Sequence, residues 1–185
     1  KNAILQIIAQ NFSNPTGQSV VLGIQGPMGN GKTTLVEKGV AKVLNRPFIH
    51  ISLGGAKDSS FLEGHDYTYI GSKWGKIADV LMKADCMNPI FYFDELDKVS
   101  HTEKGDEIIN VLMHLIDTSQ NSKFEDKYFT GVDIDLSNAT FIFSYNDSSL
   151  VNPILMDRIT EIKTSGFKKE EKIKIANEYL QPSML

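Results

Sequence analysis

The stretch GPMGNGKT, Gly26 to Thr33, constrains this chain more than any other segment of its sequence. It follows the pattern G-x-x-x-x-G-K-[ST]. Glycines are needed there because backbone N–H groups must turn inward around an anion, in conformations that side chains block. The context fits the pattern. VVLGIQ, Val20 to Gln25, is short, apolar and β-branched at its start, as a strand buried on both faces should be, and Lys32 to Leu44 reads as a helix. The positive end of that helix would face a phosphate, Lys32 would reach the β- and γ-phosphates as a point charge, and Thr33 would offer its hydroxyl to Mg²⁺. The expectation is an ATP/ADP and Mg²⁺ site built by Gly26, Pro27, Met28, Gly29, Asn30, Gly31, Lys32, Thr33 and Thr34.

The rest of the chain alternates in the way such a loop requires. RPFIHISL reads as a second strand, GKIADVLMKAD as a helix, PIFYFDE as a third strand and GDEIINVLMHLIDT as another helix. NATFIFSYN follows as a strand, NPILMDR as a short helix, ITEIKT as a last strand and KKEEKIKIANEYL as a closing amphipathic helix. Strands alternating with helices of this length predict a parallel sheet covered on both faces. KYFTGVDIDL, Lys127 to Leu136, alternates around Gly131 and reads as an exposed hairpin, and KNAILQIIAQNF at residues 1–12 reads as a helix feeding a turn-rich loop.

In an open parallel sheet, ligands bind at the carboxyl ends of the strands. IFYFDE delivers two carboxylates there. Asp94 would help hold Mg²⁺, and Glu95, one residue beyond, would orient and deprotonate the attacking water. Asn146 ends the strand NATFIFSYN, where its amide could hold that water or the γ-phosphate; a turn-forming asparagine is the alternative. Of 19 basic residues only Arg46 and Arg158 are arginines. A planar, permanently charged guanidinium at Arg158 suits phosphoryl-transfer charge, and if it acts as a finger its site can lie in a neighbouring subunit. The competing reading is a surface ion pair to Asp157 or Glu161.

Composition weighs against several classes. A net charge of −4 lacks the basic footprint of a nucleic-acid binder, and no apolar run approaches a membrane span. A lone cysteine, Cys86, forms no internal disulfide and suits the cytoplasm or another reducing intracellular compartment. The chain opens on Lys1 with no readable targeting signal, as an excised fragment would.

Together these stretches resemble an AAA+ module, and the intervening sequence resembles the ATPase domain of the Lon protease family. The likeness is carried by FIHISLGGAKDSSFLEGHDYTYIGSKWGKI, NPIFYFDELDKVS, FEDKYFTGVDIDLSNATFIFSYN and ILMDRITEIKTSGFKKEEKIKIANEYL, almost the whole chain. The resemblance implies a P-loop NTPase of the AAA+ type, a three-layer α/β/α sandwich with a mainly parallel five-stranded sheet and an additional β-hairpin. It divides the chain into an N-terminal helix and linker (1–18), the large α/β nucleotide-binding subdomain (19–180) and the start of a lid (181–185). It also implies ATP hydrolysis, with catalytic Lys32, Glu95, Asn146 as sensor 1 and Arg158 as finger, and a hexameric homo-oligomer threading protein substrates. Tyr69 and Ile70 match the aromatic-aliphatic pair of the first pore loop, an alternative being that Tyr69 is half-buried with Tyr67 and Trp74. Trp74 departs from the proline or small residue the family often carries nearby, which bears on the loop's shape and grip. The loop 98–105 receives no role.

The lid and the Ser-Lys protease domain that the family carries are not expected within these residues, so slow turnover by this chain alone and no peptidase site are the expectations. The readings carried beside the protease or unfoldase motor are an AAA+ remodeller of nucleic acid, a non-proteolytic chaperone-like ATPase and a non-enzymatic nucleotide-binding scaffold.

Overall fold

Two runs of alternating side chains in one strand set the layers of the molecule. Strand β3 (Ile90–Asp94) sends Phe91 and Phe93 into one core and Ile90 and Tyr92 into another, all of them fully buried. Residues i and i+2 share a face of a strand, so a strand with both sets apolar must be covered on both sides. The computed structural model describes Ala9 and residues 21–175; the helix read over 1–12, the edges of the three-part division and the end of the closing helix lie outside the described residues.

The chain runs β1 (Val21–Gln25), helix α1 (32–44), β2 (Phe48–Ser52), α2 (Ser60–Glu63), α3 (Lys76–Ala84), β3 and α4 (Glu103–Ile116). It continues through β4 (Phe124–Glu125), β5 (Asp133–Ile134), β6 (Thr140–Tyr145), α5 (Pro153–Met156), β7 (Thr160–Lys163) and α6 (Lys169–Ile175). Five strands form one sheet in the order β2-β3-β6-β1-β7, every neighbouring pair parallel. Helix α1 is widened over Leu35–Ala41, where the backbone bonds skip to i+5, and buries Val36, Val40 and Ala41 against Leu22, Ile24, Tyr92 and Ile142. On the other face Phe91 stacks on Phe141 (ring centroids 5.6 Å apart) and Phe93 on Phe143 (5.2 Å), beneath α3 and α4. The three layers and the mainly parallel sheet agree with the sequence reading.

The hairpin differs in its bounds. Its arms are β4 and β5, paired antiparallel with Phe124 opposite Ile134, so the first arm lies upstream of Lys127. Lys127–Phe129 instead forms a tight helical turn, because the buried Asp126 side chain accepts the Tyr128 N–H and caps it. The short helix α2 is an element that the periodicity of the sequence does not announce. Among the described residues, no helix is long and apolar enough to cross a membrane.

Candidate nucleotide site

The carboxyl ends of β1, β3 and β6 converge because β6 pairs with both other strands. The loop after β1 opens with Gly26, whose N–H donates to Tyr145 O at 3.2 Å and so continues the ladder to β6. Gly29 and Gly31 then take φ of +72° and +80°, the left-handed region that favours glycine, and turn the chain back into α1. Lys32 leaves that helix start and reaches across the loop. Its Nζ donates to Gly26 O at 2.7 Å, Pro27 O at 3.1 Å and Asn146 Oδ1 at 3.0 Å. Burial pulls the Lys32 ammonium below its ordinary value, against the fields of Asp94 and Asp97, which favour its charge.

An open cavity of about 440 Å³ is lined by residues Met28 to Thr34 of this loop together with Asp94, Glu95 and Asn146. Asp94 is held from two neighbouring strands. Ser144 Oγ on β6 donates to its Oδ1, and His50 Nε2 on β2 lies 3.3 Å from its Oδ2. Glu95 stands at φ +63°, an uncommon conformation for a residue with a side chain, and accepts a hydrogen bond from Ser52 Oγ at 3.0 Å. Thr33 Oγ1 donates to the hydroxyl of Tyr92 at 3.3 Å, and burial raises the pKa of that phenol. Thus Thr33 and Asp94 bring hard oxygen donors to one cavity, the donor set that Mg²⁺ uses when phosphate oxygens complete its shell.

A second set of contacts ties the loop to the far edge of the sheet. Asn30 Nδ2 donates to Thr164 Oγ1 at 2.6 Å, and Thr164 Oγ1 donates to Gln25 O at 2.7 Å. The Oδ1 of Asn30 is buried without a partner among the described residues. A Cβ at Gly26 would run into Thr164 Oγ1 and Asn30 Nδ2 and stand 2.7 Å from Thr164 O, so this position admits only glycine. His50, Ser52, Ser144 and Thr164 lie within the stretches that carry the family resemblance, but the sequence reading gives none of them a role. The signal that finds the first two is register, since His50 pairs with Tyr92 and Ser52 with Asp94 across β2 and β3.

The remaining candidates stand elsewhere. Arg158 does not line the cavity; its Nη1 donates to Asp117 Oδ2 at 2.6 Å, in place of either partner read from the sequence. The α4 helix ends at Ile116 and packs against α5, which brings Asp117 to it. Hydrogen bonds from Ser119 and Arg158 hold the Asp117 carboxyl well below its usual range. Tyr69 and Ile70 form the tip of a tight turn in which Ser72 Oγ donates to Asp66 O at 2.6 Å, and they are 69% and 108% exposed. Tyr69 is therefore not half-buried with Trp74, whose ring contacts are to Tyr128 and Phe129. In the loop 98–105, Thr102 caps α4 by accepting from the Gly105 N–H at 3.4 Å.

Comparison with known families decides what kind of module this is. A sequence model described as ATPase family associated with various cellular activities (AAA) matches residues 22–166. The chain belongs to the AAA family. Within it, the chain is 39% identical over 181 residues to a Lon protease homolog of Acanthamoeba polyphaga mimivirus, covering 97% of this chain and 18% of that protein. It is 40% identical over 182 residues to the Lon protease of Desulfosudis oleivorans, covering 98% of this chain and 22% of the relative. A peroxisomal Lon protease homolog 2 of Oryza sativa subsp. indica is 40% identical over 185 residues, covering 100% of this chain and 21% of its own. This AAA chain thus spans about a fifth of the length of the curated relatives it matches.

Proposed function

We propose that this AAA chain is the ATP-hydrolysing motor domain of a Lon-like ATP-dependent protease or protein unfoldase. The observation that carries the reading is the bond from Lys32 Nζ to Asn146 Oδ1 at the cavity that Asp94 and Glu95 also line. That arrangement brings a cation, an amide and two carboxylates to one anion-binding loop. ATP or ADP would be held by Gly26 to Thr34, with the backbone N–H groups and Lys32 on its phosphates. Thr33 and Asp94 would hold Mg²⁺, which when bound neutralises charge on the phosphate oxygens. Glu95, oriented by Ser52, takes the proton of the attacking water, and Asn146 positions that water.

Arg158 lines no part of the cavity, which fits a finger supplied to a neighbouring subunit of a hexameric ring. Tyr69 and Ile70 offer a large exposed aromatic and aliphatic surface, suited to gripping an extended polypeptide whatever its sequence. The net charge of −4 supports protein rather than nucleic acid as the substrate, and the lone cysteine supports a reducing intracellular compartment.

The test is Glu95→Gln in the assembled protein. ATP binding is retained, while phosphate release falls by about 10² to 10⁴-fold, the span of general-base catalysis. Unchanged turnover would remove Glu95 from the chemistry.

A further inference from the structure

We infer that the β4–β5 hairpin braces the loop carrying Tyr69 and Ile70 through a buried joint at Asp126, so that Asp126 is a positioning residue for that loop. The inference rests on the proposal that Tyr69 and Ile70 grip polypeptide. Asp126 is 0% exposed and has no part in the nucleotide chemistry. A carboxylate taken wholly out of water is retained only where its oxygens are compensated. Here Oδ2 accepts the Gly75 N–H at 2.7 Å and Oδ1 accepts the Tyr128 N–H at 2.9 Å. One N–H belongs to the base of the loop and the other to the hairpin's turn. A single side chain therefore ties the two segments together, and only a carboxylate presents acceptors on both heads at once.

The base of the loop is closed tightly enough for one such tie to fix it. His65 N donates to Lys73 O at 3.1 Å across the neck. A Cβ on Gly75 would strike Leu62 O and come within 2.5 Å of Gly64 N, so the two sides of the neck touch backbone to backbone. Three neighbours of Asp126 add to the joint. Lys127 pairs with Glu63 just before the neck. Tyr128 and Phe129 meet the Trp74 ring, the first edge-on at 5.8 Å and the second stacked at 6.2 Å. On its other flank the neck runs straight into α3, since Gly75 is the residue that precedes Lys76 and its carbonyl accepts the Asp79 N–H at 3.1 Å. Asp126, Tyr128 and Phe129 thus contact Gly75 and Trp74 at the neck, Lys127 pairs just beside it, and Trp74 is the central link. A pull on the Tyr69 tip is resisted by the hairpin and by α3 together, and the loop and hairpin move as one body.

Trp74 is the only tryptophan of the chain, so its emission reports on the joint. Asp126→Asn keeps the shape but turns an NH₂ group toward one of the two N–H donors. Trp74 is 44% exposed, and its quenching by acrylamide should rise about twofold as the joint opens locally. The affinity of the same chain for a fluorescent ADP analogue should stay within about twofold, since every contact of the joint lies outside Gly26 to Thr34. Phe129→Leu, which leaves Asp126 and its partners in place, should raise quenching in the same direction if Asp126→Asn fails to fold. In the assembled protein, polypeptide-stimulated ATP turnover falls roughly 2- to 30-fold in both variants with basal turnover kept, the span of coupling changes carried by packed networks. Unchanged quenching in both, or equal loss of basal and stimulated turnover, overturns the joint. If Tyr69→Ala leaves stimulated turnover intact while Asp126→Asn loosens Trp74, the gripping role falls and the joint stands.

Discussion

Adding one methyl group at Gly26 should do more damage than adding one at Gly29, although both belong to the same loop. The Cβ of Gly26→Ala collides with Thr164 Oγ1 and Asn30 Nδ2 and lies 2.7 Å from the Thr164 carbonyl oxygen, which is backbone and cannot rotate away. Relief requires moving Thr164. That breaks its bonds to Asn30 (2.6 Å) and Gln25 (2.7 Å), each contributing about 1 kcal/mol, and forcing the segment apart adds about 1–3 kcal/mol. The expected loss is about 3–5 kcal/mol, or roughly 10 °C in Tm for a chain of this size. Among the described residues, Gly29 has nothing within 4 Å of the added atom, which leaves only the strain of a side chain at φ +72°, about 1–2 kcal/mol. Thermal denaturation followed by circular dichroism, with ADP binding measured in parallel, separates the two. Thr164→Ala removes one of the clashing atoms, so Gly26→Ala should cost at least about 1 kcal/mol less in that background. Equal costs at Gly26 and Gly29, or full additivity with Thr164→Ala, would refute the idea that the loop is clamped to the end of β7.

Two further perturbations probe the exposed loop and the core. Tyr69→Ala should impair polypeptide threading far more than basal ATP turnover, measured by degradation or unfolding of a fluorescent substrate beside phosphate release; equal loss of both would make Tyr69 structural. Phe91→Ala empties a fully buried position stacked on Phe141 and should destabilise the chain by about 3–5 kcal/mol in urea unfolding, and a cost below about 1 kcal/mol would contradict the double-sided core.

The sheet is legible in the sequence because its strands are apolar on both faces, and runs such as IFYFD and TFIFSY leave no alternative to central, doubly covered strands. The phosphate loop is legible because glycine at φ +72° and +80° cannot be replaced freely, so the conformation writes itself into residue type. The first arm of the hairpin is not, because the alternation that suggests it, Lys127 onward, belongs to a turn capped by a buried carboxylate, and burial of Asp126 has no local signature. The partner of Arg158 is hidden for a similar reason. Asp117 stands 41 residues away in sequence and reaches it only through the packing of α4 on α5. His50, Ser52 and Ser144 are ordinary strand residues until the register sets them beside Asp94 and Glu95.

On the function proposed above, the cavity at Gly26 to Thr34 would be half of a shared hydrolytic site whose other half is Arg158 of a neighbour. The decisive measurement mixes Glu95→Gln subunits with Arg158→Ala subunits of the assembled protein. The first retain the finger and the second retain the water-activating carboxylate, so interfaces that join an Arg158→Ala cavity to a Glu95→Gln finger are complete. Each variant alone should release little phosphate, and the mixture should regain a substantial part of wild-type turnover. A mixture no more active than its components would contradict it.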